Sequence, residues 1–395
     1  MNDLTSIISN SLVDLIRWID HKDYKGYDPY DALTSPVFKK IKNPMIGAII
    51  TQIFKRNPIN LRSLFAIKPQ DIPKGLGLML KAFSLQYMIT KDQSFKDICN
   101  KIYLRLIALK SPDFPEYCWG CNFPWSNPNE YLPAYCPSVV VTSFVVEGLA
   151  TYKKISHQDN QEDIDKIILS ASDYVMNRIP HFYMPEGIVI AYTHNSKSIC
   201  YNSSLLAMQI LLRAYEINQD KILIETSEKA VNYVVSKQHS DGHWNYSINP
   251  MTKEERVQVD FHQGFILDSL LDYFKQTDDY SILKSIKKGI NFYKFIQFSP
   301  EGVSKWRYPK EYPIEIHNQA QGIITFSKLN EFLHDSLDFA NIVAKWTIKN
   351  MQDKEGYFYY QIYPLIINKI PYMRWGQAWM LLALSTLDYY SHNLG

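Results

Sequence analysis

Asp260 and His262 are the two residues of this chain whose types and spacing point most directly to chemistry. They stand in Val259-Asp260-Phe261-His262-Gln263-Gly264, where a polar, aromatic stretch runs into the apolar segment Phe265 to Leu271. A carboxylate just ahead of a helix is kept ionised by the helix dipole, and an imidazole two residues on can donate to a substrate oxygen, so the two form a candidate acid–base centre. Asp is also a common N-cap, and one residue can serve both purposes. His317, four residues before Gln321 and so on the same helix face, is the third catalytic candidate.

Around them stand groups suited to holding a sugar. Asn202, Gln263, Gln321 and Gln377 supply the donors and acceptors that hydroxyl groups need. Arg374 could fork onto a uronate carboxylate or phosphate, or else hold the last part of the chain in a fixed ion pair. Trp119, Trp125 and Trp375 are expected to be stacking walls, and Tyr359 is expected to enter the same mouth. Glu147, inside an apolar stretch, is a buried acid whose pKa would rise if it were unpaired. Asp241, in His239-Ser240-Asp241-Gly242-His243-Trp244, fits a tight turn better than catalysis.

These residues recur at one kind of place. Segments poor in charge and rich in Leu, Ala, Gly and Ser begin near Leu78, Ser138, Asn202, His262, Asn318 and Trp375, at intervals of roughly 60 residues. Between them lie segments with a charged face at residues 95–109, 162–177, 221–237, 280–296 and 335–349, and residues 4–20 make a sixth. A helix apolar on all sides belongs inside and one with a single stripe belongs outside. Six of each predicts an all-α chain, an (α/α)6 toroid of six hairpins forming one domain over residues 1–395. Residues 1–75 supply an N-terminal helix and a connecting segment that contains Pro44, Pro58, Pro69 and Pro73. Parallel inner helices bring their N-termini, with their free N–H groups, to one mouth. Gly264 is expected to keep that mouth open.

Composition narrows the function. At 395 residues with 46% hydrophobic residues the core is ample, and a net charge of +2 without a long run of one sign offers no nucleic-acid surface. Aromatics reach 14%, with 28 Tyr and 8 Trp, which suits contact with sugars. No secretory leader opens the chain and no apolar run approaches a membrane span, so a cytoplasmic protein is expected. Cys118-Trp119-Gly120-Cys121 has the spacing of a metal knuckle, but no second pair follows and the five Cys are expected to be ordinary thiols. No two-His helical motif, Gly-rich phosphate loop, nucleophile elbow or dinucleotide fingerprint occurs, so neither metal nor cofactor is expected.

Seven segments, in order along nearly the whole chain, resemble a family of bacterial and archaeal proteins found with capsule and exopolysaccharide genes, within the six-hairpin glycosidase-like superfamily. They are 26–31 (Gly-Tyr-Asp-Pro-Tyr-Asp), Cys118-Trp119-Gly120 with Phe123-Pro124-Trp125, 141–145, 239–244, 260–265, Ile316-His317 with Ala320-Gln321, and 370–378. The chain departs from the family pattern at Cys121, where an aromatic is expected, and at Glu315, where Asp is expected. The resemblance implies the toroid and a place in cell-surface polysaccharide biosynthesis or modification, with a glycan or glycan precursor as partner. An enzyme of glycoside hydrolase-like type is expected, with uronyl epimerisation or elimination as alternatives and a non-catalytic glycan-binding or assembly factor as the second reading. Isoprenoid chemistry is disfavoured by the lack of an Asp-rich motif, and oligomeric state is not indicated.

Overall fold

The computed structural model describes residues 2–392 apart from 129, 197, 198, 250, 251 and 334. Segments that are apolar on all sides form inner helices, and those with one apolar stripe form outer ones, because only the former can be surrounded by protein without burying charge. The inner set is α3 (Pro73–Thr90), α5 (Val139–Lys153), α7 (Tyr201–Asn218), α9 (His262–Thr277), α11 (Ile316–Lys328) and α13 (Ala378–His392). The outer set is α1 (Asn2–His21), α4 (Gln93–Ala108), α6 (Gln158–Arg178), α8 (Lys221–Ser236), α10 (Leu283–Phe292) and α12 (Ser336–Met351). Each inner helix packs on the next, and α13 returns to α3, so the inner ring closes. Helix α1 packs on α12 and α13 and completes the outer ring. The fold is the (α/α)6 toroid that the spacing predicts.

The inner-to-outer returns are short and repeat one device. Lys91, Gln219 and Asp278 adopt left-handed φ of 58°, 56° and 53°, which ends the inner helix. The next residue, Asp92, Asp220 or Asp279, caps the helical turn after it by accepting from the backbone N–H two residues on, at 2.9, 3.1 and 3.0 Å. The outer-to-inner connections are longer and carry short strands: β1 (Trp125–Asn127) with β2 (Glu130–Leu132), β3 (His181–Met184) with β4 (Gly187–Ile190), β5 (Ile199–Cys200) with β6 (Ser247–Ile248) and β7 (Glu255–Arg256), and β8 (Ile314–Glu315) with β9 (Gln361–Ile362) and β10 (Ile367–Asn368). Gly242 and Gly356 turn with φ of 106° and 98°, and a Cβ there would fall 2.3 Å from the Lys288 carbonyl oxygen and 2.4 Å from that of Asp14, so only glycine fits against the neighbouring outer helix.

Two expectations need correction. The connecting segment contains a full helix, α2 (Pro44–Arg56), capped by Asn43 with Pro44 in the first turn. It packs on β1 and lies over the mouth, where Lys55 Nζ donates to Tyr30 Oη at 2.6 Å and sits 5.2 Å from the Trp375 ring. Gly264 does not hold the mouth open. A Cβ there would meet Gln321 Cγ at 2.6 Å, so it permits close packing of α9 on α11. Among the described residues no helix is long and apolar enough to cross a membrane.

Candidate functional site

Five inner helices are locked in place by a side chain of their first turn that satisfies the backbone of the incoming segment. Gln263 accepts from Trp244 N at 2.9 Å and donates to Trp244 O at 2.8 Å. Gln377 does the same for Phe358, at 2.8 Å both ways, and Gln319 accepts from Ser304 N and donates to Gly302 O. Thr142 plays this part for Trp119, and Ser204 Oγ accepts from Ile190 N at 3.0 Å. Gln263 and Gln377, expected to bind substrate, thus have both ends of their amides committed to buried backbone. They set where the helices begin.

On this frame the segment before α9 presents Asp260, which is 2% exposed. Its Oδ1 accepts from the backbone N of His262 at 3.2 Å and pairs with His262 Nδ1 at 2.5 Å, and its Oδ2 accepts from Gln258 Nε2 at 2.7 Å. Burial pushes the Asp260 carboxyl up, but the His262 ring and these hydrogen bonds outweigh it and hold it below its ordinary value. Asp260 therefore fixes the imidazole through Nδ1, and no hydrogen-bond partner for Nε2 occurs among the described residues. The His262 side chain keeps 13% of its surface exposed. It lies edge-on to Tyr246, with ring centres 4.7 Å apart.

Phe261 separates His262 from His317. It stacks on both rings, at 4.2 and 4.1 Å, and two rings cannot share one face, so the phenyl is sandwiched between the imidazoles. His317 is 1% exposed, and neither ring nitrogen has a hydrogen-bond partner among the described residues. Burial first, and then the positive charge of Lys74, hold it well below the usual histidine range. Lys74, in the first turn of α3, is 6% exposed and has no carboxylate partner among the described residues. Its Nζ lies 4.2 Å from the Phe144 ring centre, 5.3 Å from Trp379 and 5.7 Å from Phe265. Burial and the nearby Arg374 push its pKa well below the lysine value.

The other carboxylates of this mouth have their oxygens engaged. Asp28 receives Arg374 Nε at 2.5 Å and Nη2 at 2.7 Å, leaving Nη1 of the guanidinium without a partner among the described residues. Arg374 is thus an ion-pair clamp between Asp28, near the start of the chain, and the residues leading into the last inner helix, the second of its two expected roles. Glu315 accepts from Trp375 Nε1 at 2.8 Å and from Gln361 Nε2 at 2.6 Å. Glu255 accepts from Tyr201 Oη at 2.5 Å and Asn245 Nδ2 at 2.6 Å. Asn202 Oδ1 is buried without a hydrogen-bond partner among the described residues, and Trp375 is half-buried and perpendicular to His317, with ring centres 4.8 Å apart.

Several expected site residues lie elsewhere. Trp119 is fully buried with Nε1 donating to Leu106 O at 2.8 Å, so it is core rather than a stacking wall. Trp125 is half-buried in β1 against α2. Tyr359 donates its hydroxyl to Asp353, in the turn after α12. Gln321 lines a cavity of about 320 Å³ near the C-terminal ends of the inner helices, and so does Glu147. Glu147 is paired with Lys81 and Arg213, which hold its pKa below the ordinary value against the burial that would raise it. Phe144, Phe265 and Trp379, with ring centres 5.1 to 5.6 Å apart, block the axis between that cavity and Lys74. The five cysteines are free thiols, and among the described residues no group of three or more His, Cys, Asp or Glu could hold a metal.

The residue that sequence reasoning missed is Lys74. Its signal was a lone cation in the first turn of a helix otherwise carrying only Lys81.

No family model and no curated relative matches the chain. Its backbone is similar to that of an unsaturated glucuronyl hydrolase specific for heparin, with a TM-score of 0.65 and 9% identity over 99% of this chain and 97% of that one. It is similar to cellobiose 2-epimerase from Bacillus thermoamylovorans (0.63, 14%, 82% and 90%) and to a D-mannose isomerase (0.61, 12%, 81% and 87%). At these identities the likeness is one of fold. The chain shares the (α/α)6 toroid of these enzymes.

Proposed function

We propose that this protein is a carbohydrate-active enzyme that moves protons by histidine-centred acid–base chemistry on a uronate-containing glycan or glycan precursor. The site is the mouth where the inner helices begin. The observation that carries the reading is that His262 is oriented by Asp260 with Nε2 unengaged, while Asp28, Glu255, Glu315 and Asp260 itself have both oxygens occupied. Hydrolysis by two carboxyl groups needs one of them protonated and the other free to act. The oxygens of these four carboxyl groups are engaged in hydrogen bonds, whereas a fixed imidazole suits abstraction of a carbon-bound proton.

In a uronate the acidic carbon is the one next to the carboxylate. His262 Nε2 would take that proton and the electron pair of the C–H bond would pass to the carboxylate. A proton from water would then add to the opposite face while His262 gives its own proton to solvent, or the β-substituent would depart with its bonding pair. Lys74 and Arg374 Nη1 would meet the negative charge that develops, in a place from which water is largely excluded. Trp375 and Asn202 would hold the ring. The fold relatives act on sugars by hydrolysis, epimerisation and isomerisation, which supports the substrate class and leaves the reaction to the site's own geometry. A role in cell-surface polysaccharide biosynthesis or modification fits this substrate. Incubation with mixed uronate oligosaccharides, followed by mass spectrometry and chiral sugar analysis, should reveal an epimerised or unsaturated product. Saturable binding with no change in any sugar would instead make the protein a glycan-binding factor.

A further inference from the structure

We propose that the cavity at the opposite end of the toroid, where the inner helices finish, is a second ligand site, and that its ligand is a neutral polyhydroxyl compound such as an uncharged sugar. Its volume of about 320 Å³ lies at the lower end of the ~300–1,000 Å³ of ligand pockets. The floor is the triad of Phe144, Phe265 and Trp379, an apolar surface on which a sugar ring can stack.

The wall is charged yet balanced. Four cations and four carboxylates line it, and three of the cations, Lys81, Arg213 and Lys328, are paired with carboxylates of the same wall, while Lys154 is exposed. Glu147 receives Lys81 at 2.9 Å and Arg213 at 2.7 Å, and Asp272 receives Lys328 at 3.1 Å and Gln209 at 2.8 Å. A charged ligand seated on the Glu147 or Asp272 groups would have to break one of these pairs. A neutral ligand can use the remaining lone pairs and N–H groups as they stand.

Three polar atoms in the same lining wait for a partner. Ser269 Oγ, Gln321 Oε1 and Asp268 Oδ1 are buried and make no hydrogen bond among the described residues, although Ser269 and Gln321 are each only 1% exposed. Unsatisfied buried groups of this kind cost stability, and three of them belong to residues that line one cavity, where hydroxyl groups could reach them by a small shift of the side chains. Burial also pushes the Asp268 carboxyl up, which suits a group that shares a proton with a neutral hydroxyl. The rim, with Ala150, Thr151 and Tyr389 half-buried, gives entry from the side away from Asp260 and His262.

The test uses the whole chain and saturation-transfer nuclear magnetic resonance with D-mannose, methyl glucoside and cellobiose as probes. The wild type and a His262→Ala variant should show equal saturable binding, because the aromatic floor separates the two ends. Ala150→Trp, which fills the rim from a half-exposed position, should remove it. Gln321→Leu, which keeps the shape but not the acceptor, should weaken it about tenfold. If Ala150→Trp alters the circular dichroism spectrum, Gln321→Leu alone decides. Absence of binding by all three sugars, or binding lost in His262→Ala and kept in Gln321→Leu, would overturn the proposal. Neither result bears on proton transfer at the other mouth.

Discussion

Replacing Lys74 with Met should make the protein more stable and less able to bind its substrate. The amine is 6% exposed with no carboxylate partner among the described residues, and an uncompensated buried polar group costs about 1–3 kcal/mol. Its contact with the Phe144 ring, 4.2 Å away, returns about 0.5–1 kcal/mol. Met keeps the volume and the stem's packing, so the net gain should be about 0.5–2 kcal/mol. Its pH dependence has a definite sign. Burial holds the folded-state pKa below the unfolded value of about 10.4, so between the two the unfolded chain binds more protons and wild-type stability rises with pH. The Met variant loses that part of the slope, and its advantage should shrink as pH approaches about 10.4. Urea unfolding at a series of pH values measures this through the midpoint at constant slope. A Met variant less stable than wild type, or one with the same pH slope, would show that Lys74 has a partner and refute the reasoning.

Other outcomes rest on the same geometry. Gln263→Leu strands the buried N–H and C=O of Trp244 and should cost about 2–6 kcal/mol in urea unfolding, at about 1–3 kcal/mol for each stranded group. A change in binding alone would restore Gln263 as a ligand contact. Gly264→Ala places a Cβ 2.6 Å from Gln321 Cγ and should destabilise by about 1–3 kcal/mol, read as a lower thermal midpoint. Asp260→Asn leaves the His262 ring without its carboxylate and should lower kcat by about 10²–10⁴ with little change in KM, in steady-state kinetics on a substrate found by the oligosaccharide screen. Equal turnover would remove Asp260 from the mechanism.

Much of the architecture was legible because it rests on periodicity. Stretches such as Val139 to Lys153, apolar on every side, can only be internal, and the recurrence of such stretches fixed both the number of hairpins and the mouth at which they begin. Asp260 and His262 were legible for the same reason, as a helix start with unusual residue types. Helix α2 was hidden by its proline-rich surroundings, although Asn43-Pro44 is a sound helix start. The glutamines were the harder case. Gln263, Gln321 and Gln377 have the same chemistry in the sequence, but two turn back to hold backbone and one lies below the aromatic floor, and only tertiary packing decides which way an amide points. Lys74 was missed because its meaning lies in having no carboxylate partner among the described residues, which only tertiary packing reveals.

The most direct test of the central claim is solvent deuterium exchange. In deuterium oxide the wild type should incorporate deuterium at the carbon next to the carboxylate of a uronate oligosaccharide, and His262→Ala should incorporate none while keeping its fold. Release of free sugar without carbon-bound deuterium, undiminished in His262→Ala, would contradict the account.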